Sequence, residues 1–110
     1  VRDARDAGLK LVTDRARAKQ KVKGAEVDDV VRKHIVSKGY GEYFIHRTGH
    51  NIGQEVHGNG AHLDNFETRE ERKLLPGTCF SIEPGIYLKD FGIRSEIDIY
   101  LTENDAVFSL

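Results

Sequence analysis

The sequence predicts an α+β domain in which two helices pack on an antiparallel sheet. Three observations carry this. Residues 1–38 hold only two glycines and repeat apolar residues near helical spacing. Residues 78–110 run instead as short segments of alternating apolar and polar character, punctuated by Pro-Gly and Asp-Phe-Gly. Helices first and strands later is the order of an α+β layer structure, with the helices covering the apolar face of the sheet.

Taken in order, the first helix has a thin apolar face of Ala4, Ala7, Leu11 and Ala18, so it is expected to lie on something larger. Residues 21–25 break the pattern, with Gly24 as punctuation. The second helix places Val27, Val30, Val31, His34 and Ile35 on one side. Glu26, Asp28 and Asp29 sit near its start, where the helix dipole favours negative charge. Gly39 is its expected stop. Residues 43–46 read as a short strand leading in. Six of the eleven glycines then fall between Gly39 and Gly60, and four of the five histidines between His46 and His62. Residues 67–73 are dense in charge and read as a solvated turn or short helix. Leu75-Pro76-Gly77 is a turn. Strands are expected over 78–83, 92–100 and 105–110, with Asp90-Phe91-Gly92 marking a hairpin. In the second of these, Ile93, Ser95, Ile97 and Ile99 share one face, and Arg94, Glu96, Asp98 and Tyr100 the other.

Composition narrows the function. The chain has 110 residues, is 38% hydrophobic and 32% charged, and carries a formal net charge of −1. That is at most one domain. A balanced charge gives no electrostatic case for nucleic acid or an anionic membrane. No apolar run is long enough to cross a bilayer, and the opening Val-Arg-Asp-Ala-Arg-Asp has no signal-peptide character. The single Cys79 excludes an intrachain disulfide and a cysteine-based zinc site; a reducing, cytoplasmic setting fits. The chain lacks methionine and begins inside a helix. Both features point to a piece of a longer protein.

The chemistry concentrates in two places. His46, His50 and His57 lie among glycines, where a backbone can approach a ligand closely and imidazole serves as metal ligand or proton carrier. A lone histidine is more often structural, but three in such a stretch are a different signal. Glu83 ends the apolar run Cys79-Phe80-Ser81-Ile82, where a charge is costly to bury unless paired or metal-bound. Glu96 lies among apolar neighbours too, and on spacing alone reads equally as a metal ligand or as the polar face of an edge strand paired to Arg94. One histidine with two carboxylates suits Mn²⁺, Co²⁺, Fe²⁺ or Zn²⁺.

At this point the sequence resembles a known family. The run from Gly39 to Gly53, containing His46-Arg47-Thr48-Gly49-His50, followed by Glu55-Val56-His57, is similar to the pita-bread metallopeptidases. So are Leu75-Pro76-Gly77, Ser81-Ile82-Glu83-Pro84-Gly85-Ile86-Tyr87 and Gly92-Ile93-Arg94-Ser95-Glu96. The blocks stand in the family's order across about residues 2–110, and the histidine block resembles the prolidase and Xaa-Pro aminopeptidase branch. The resemblance implies the C-terminal portion of a pita-bread catalytic domain, residues 1–110 forming a single partial domain without its N-terminal half. It implies metal-dependent hydrolysis of peptide bonds near a substrate's N-terminus, Xaa-Pro bonds above all, with divalent ions (Mn, Co or Zn; two in the full-length parent) and a peptide substrate.

Residue by residue, His50 matches a metal ligand. Glu83 matches a second ligand that also transfers protons, and Glu96 the carboxylate bridging two ions. His57 matches a substrate-contacting histidine that stabilises the tetrahedral intermediate, and His46 a histidine of the substrate pocket. Arg94 matches an arginine that orients the carboxylates. His34 and His62 match nothing catalytic and are read as structural. The family's remaining ligands are two upstream aspartates in Asp-x-Gly and Asp-x-Thr-Arg contexts. Asp3, Asp6, Asp14, Asp28 and Asp29 have no such context, so this chain alone is expected to be inactive or weakly metal-binding. A chain lacking its other half should also expose apolar patches and self-associate, a homodimer being one way to cover them. The alternatives are a non-catalytic binding module of the same fold, which would typically have lost ligand residues that are kept here, and a hydrolase of the creatinase kind, which works without two metals.

Overall fold

The computed structural model describes residues 1–52 and 60–109. Two helices, α1 (Arg2–Arg17) and α2 (Gly24–Ser37), pack against each other and lie over a sheet of three antiparallel strands in the order β1–β4–β5. These strands are β1 (Cys79–Ile82), β4 (Ile97–Leu101) and β5 (Ala106–Ser109). A separate hairpin joins β2 (Gly85–Tyr87) to β3 (Gly92–Arg94). The expected architecture of two helices on an antiparallel sheet is therefore the one formed. No helix among the described residues is long and apolar enough to cross a membrane.

The core lies between the helices and one face of the sheet. Register pairs Phe80 with Ile99 and Ile82 with Ile97, and all four are buried with Leu101 under Val27, Val31 and Ile35 of α2. α1 meets this layer along Ala4, Gly8, Val12 and Ala16 rather than along the expected Ala4–Ala7–Leu11–Ala18 line. Gly8 is the reason. A Cβ there would stand 2.7 Å from Val31 Cγ2, so the bare glycine lets α1 approach α2 closely, and a glycine is not counted when apolar periodicity is read. Gly39 ends the α2 segment at a φ of +86°, as expected of a left-handed stop.

Four other expectations change. Residues 43–46 form no strand; a 3₁₀ turn at Gly41–Tyr43 curls the chain beneath α2 and buries Phe44. The strand expected over 92–100 is two strands in two sheets. Its break at Ser95 and Glu96 matches Pro84 across the way, which has no N–H to continue a ladder; Ser95 N–H instead donates to the Pro84 carbonyl at 3.2 Å. Ile93 is consequently 49% exposed and shares no face with Ile97 and Ile99, which are buried. The charged stretch 67–73 is not wholly solvated either. Glu70 is buried, its carboxylate gripped by Arg72 Nε at 2.9 Å and Nη2 at 2.8 Å and accepting the His62 N–H at 2.9 Å. Asp28, expected to serve the start of α2, is fully buried.

Exposed apolar side chains are present as expected: Ile52, Tyr100, Val107 and Phe108 gather beside β4 and β5.

Candidate active site

The site is built on a strand-like segment alongside β1. Glu83 N–H donates to the Thr48 carbonyl (2.7 Å), Ser81 N–H to His50 (2.9 Å), and Ile52 N–H to Cys79 (2.8 Å). On its other side Gly49 exchanges both main-chain bonds with Leu63, at 3.2 and 3.1 Å. Gly49 is required here, because a Cβ would fall 1.9 Å from the Ser81 carbonyl oxygen. His50 thus stands on a fixed main chain, with its N–H also donating to Ser81 Oγ at 3.1 Å.

The side chains follow from this frame. Glu83 leaves the end of β1 just before Pro84, and its Oε2 lies 3.2 Å from His50 Nε2. His50 Nδ1 lies 3.1 Å from the Asn51 carbonyl, so both ring nitrogens face oxygens that can only accept. A neutral ring donates to one of them and leaves its other nitrogen as a lone pair. The Nε2 edge and the Glu83 carboxylate are close enough to share a proton or a cation.

Glu96 adds a second carboxylate. Partial desolvation raises its pKa first, although the residue as a whole is exposed, followed by the charges of Glu83 and Asp98 and a side-chain hydrogen bond with Glu83. A carboxyl–carboxyl hydrogen bond needs a shared proton, so the pair resists carrying two charges. The donor set of one imidazole and two crowded carboxylates fits a divalent cation chemically. Among the described residues, no three histidine, cysteine, aspartate or glutamate side chains converge as a ready-made cage for such an ion.

Arg94 and Tyr87 connect this group to His46. Arg94 Nη1 lies 3.5 Å from Glu83 Oε1, and Arg94 Nε donates to Tyr87 Oη at 2.9 Å. Tyr87 Oη is 2.9 Å from His46 Nε2, while His46 Nδ1 is 2.7 Å from the Arg47 carbonyl. That carbonyl requires the proton on Nδ1, so the Tyr87 hydroxyl donates to Nε2. The chain of contacts Glu83–Arg94–Tyr87–His46 is thereby continuous, with Arg94 donating to both Glu83 and Tyr87 and Tyr87 donating on to His46.

The structure thus places His50 against Glu83 and Glu96 against Glu83, with Arg94 beside Glu83 and His46 one hydroxyl further on. His57 lies outside the described residues. His34 lies apart, on α2. His62 is structural in the way expected: its Nδ1 accepts the Asn51 N–H at 2.9 Å, and burial, then the Arg47 charge, lower its pKa and keep the ring neutral. Sequence reasoning assigned no role to Tyr87 or Asp98. Tyr87 stands in the same block as Glu83, but nothing in that block reveals a partner 41 positions away.

Comparison with known proteins gives a consistent picture. The model of metallopeptidase family M24 matches residues 1–103. The chain is 49% identical over 80 residues to a Xaa-Pro dipeptidase of Lactobacillus delbrueckii subsp. lactis, covering 72% of this chain and 21% of the relative. It is 43% identical over 90 residues to the uncharacterized peptidase YqhT of Bacillus subtilis, covering 81% and 24%. Among solved structures it is similar to the X-Pro aminopeptidase from Thermotoga maritima, with a TM-score of 0.79 and 38% identity over 100% of this chain and 29% of that one. The chain spans about a quarter of the length of the curated relatives it matches.

Proposed function

The chain belongs to metallopeptidase family M24, as a C-terminal part of its pita-bread fold, and from that premise we propose that it supplies the histidine–carboxylate half of a metal-dependent peptidase site. In the full-length protein the reaction is hydrolysis of peptide bonds near the substrate's N-terminus, Xaa-Pro bonds in particular. The observation that carries this is His50 Nε2 facing Glu83 Oε2 at 3.2 Å, with Glu96 crowded against Glu83. The names of the relatives, Xaa-Pro dipeptidase and X-Pro aminopeptidase, support the substrate class.

His50, Glu83 and Glu96 would hold a divalent ion, manganese, cobalt or zinc. Such an ion, when bound, supplies a Lewis acid and a water acidified toward neutral pH. The chain's own residues do the rest. Glu83 takes a proton at its carboxylate and returns it to the leaving amine, which for an Xaa-Pro bond is the ring nitrogen of proline. Arg94, held by Tyr87, orients Glu83 Oε1. His46, its tautomer fixed by Tyr87 and the Arg47 carbonyl, lines the substrate pocket. His57 contacts the substrate and favours the developing oxyanion.

Two measurements test the reading. Titrating this chain with Mn²⁺ in a calorimeter should show weak binding that His50→Ala and Glu83→Gln abolish. Hydrolysis of an Xaa-Pro dipeptide by the full-length protein should fall at least about a hundredfold in either variant. Undiminished hydrolysis in His50→Ala overturns the proposal.

A further inference from the structure

The buried Asp28 has no place in the site just described, yet its carboxylate accepts four hydrogen bonds. Its side chain is 0% exposed. It accepts from Arg32 Nε at 3.0 Å and Nη2 at 3.1 Å, and from the Thr48 N–H at 2.9 Å and Oγ1 at 2.7 Å. Arg32 spends its other donors on main-chain carbonyls, Nη1 on Phe44 at 2.9 Å and Nη2 on His46 at 2.8 Å. Its guanidinium also lies 4.0 Å from the centre of the Phe44 ring and 4.8 Å from that of Phe66.

Such a pair is not the economical way to fill a core. Desolvating two charges largely cancels their attraction, and apolar residues of similar volume are often as stable. What the pair adds is a fixed position. Every bond it makes beyond itself falls on residues 44–48, the segment that carries His46 and leads into His50. Thr48 extends the hold. Its N–H is held by Asp28, and its carbonyl accepts the Glu83 N–H at 2.7 Å. The path from α2 to Glu83 therefore passes through one residue.

We propose that Asp28 and Arg32 form a positioning unit, fixing the main chain of residues 44–48 so that His46, His50 and Glu83 meet at the observed distances. Its consequence for activity rests on the function proposed above; its geometric content does not. Arg32→Met and the double variant Asp28→Asn/Arg32→Met are made in the full-length protein and in this chain. Three readouts are taken: the cross-peak between the ring protons of His50 and the side-chain protons of Glu83, Mn²⁺ affinity, and hydrogen exchange of the β4 amides. The expected result is loss of the cross-peak and Mn²⁺ binding weaker by about tenfold or more, with β4 protection retained. Arg32→Lys should behave like Arg32→Met, because an ammonium cannot span a carboxylate and two carbonyls.

A retained cross-peak with unchanged affinity overturns the proposal. So does joint loss of the cross-peak and β4 protection in both variants, which makes the pair a general stability element. If the unaltered protein neither binds Mn²⁺ nor cleaves Xaa-Pro peptides, the function proposed above fails, and the cross-peak alone decides the positioning role.

Discussion

The chain holds two kinds of arginine–carboxylate pair, and they differ in how much is left unsatisfied. Asp28–Arg32 and Glu70–Arg72 are closed: each carboxylate receives a forked guanidinium and main-chain or hydroxyl donors besides. Glu83–Arg94 is open. Its one contact is long, at 3.5 Å, the arginine side chain is 50% exposed, and the other oxygen of Glu83 faces His50 Nε2 at 3.2 Å. A carboxylate saturated by the chain's own donors is scaffold. One held by a single long arginine contact, beside a histidine and another carboxylate, is left open to a group the chain does not itself supply.

The hardest test of that contrast is Gly49→Ala, since Gly49 joins the closed region to the open one. The added methyl would collide with the Ser81 carbonyl. A loss of about 3 kcal/mol is expected in urea unfolding, with Mn²⁺ binding lost at concentrations where the remaining fold persists. Unchanged stability would show that residues 48–52 do not depend on their pairing with β1.

A middle-sized effect is expected from Glu70→Gln, which opens a closed pair. Arg72 first, with the His62 and Arg72 N–H groups, holds the Glu70 carboxyl down to about 2, below its ordinary 4.5. A lowered carboxylate pKa gives stability that is full above the unfolded value and is lost as pH falls toward the folded one. The variant should lose about 1–2 kcal/mol at neutral pH. It should also show a shallower decline between about pH 5 and about pH 2. An unaltered acid limb would mean that Glu70 is not the group responsible.

The smallest effect carries the opposite sign. Glu96→Gln removes charge crowded against Glu83 and Asp98, so the metal-free variant should gain about 0.5 kcal/mol. Adding Mn²⁺ should reverse the ranking, because only the unaltered chain gains full stabilisation from the ion. A variant less stable than the parent without metal would contradict the crowding.

Much of this was legible in the sequence, for definite reasons. The α2 face through Val27, Val31 and Ile35 and the alternation of Ile97 and Ile99 are periodic, and periodicity survives folding. His50, Glu83 and Glu96 could be singled out because each is an unexpected residue type in its local setting. What failed to show depended on distant partners. The alternation of residues 92–100 runs unbroken through Ser95, and the interruption comes from Pro84 on another segment. Gly8 contributes by lacking a side chain. Glu70 reads as solvent-facing because charge is the local cue, whereas its burial is permitted by Arg72 and by the His62 N–H. Asp28 sits where a helix start welcomes an acid, which hid its bond to Thr48.

Residues 48–52 are bonded on both flanks, to β1 on one side and through Gly49 to Leu63 on the other. A ligand on a loop can drift by degrees and weaken a site gradually. A side chain held as His50 is cannot, since sliding the segment breaks several main-chain bonds at once. The histidine end of the site should therefore behave as a switch with two settings, assembled or dismantled, and temperature or denaturant should abolish cation binding in the same transition that melts the sheet.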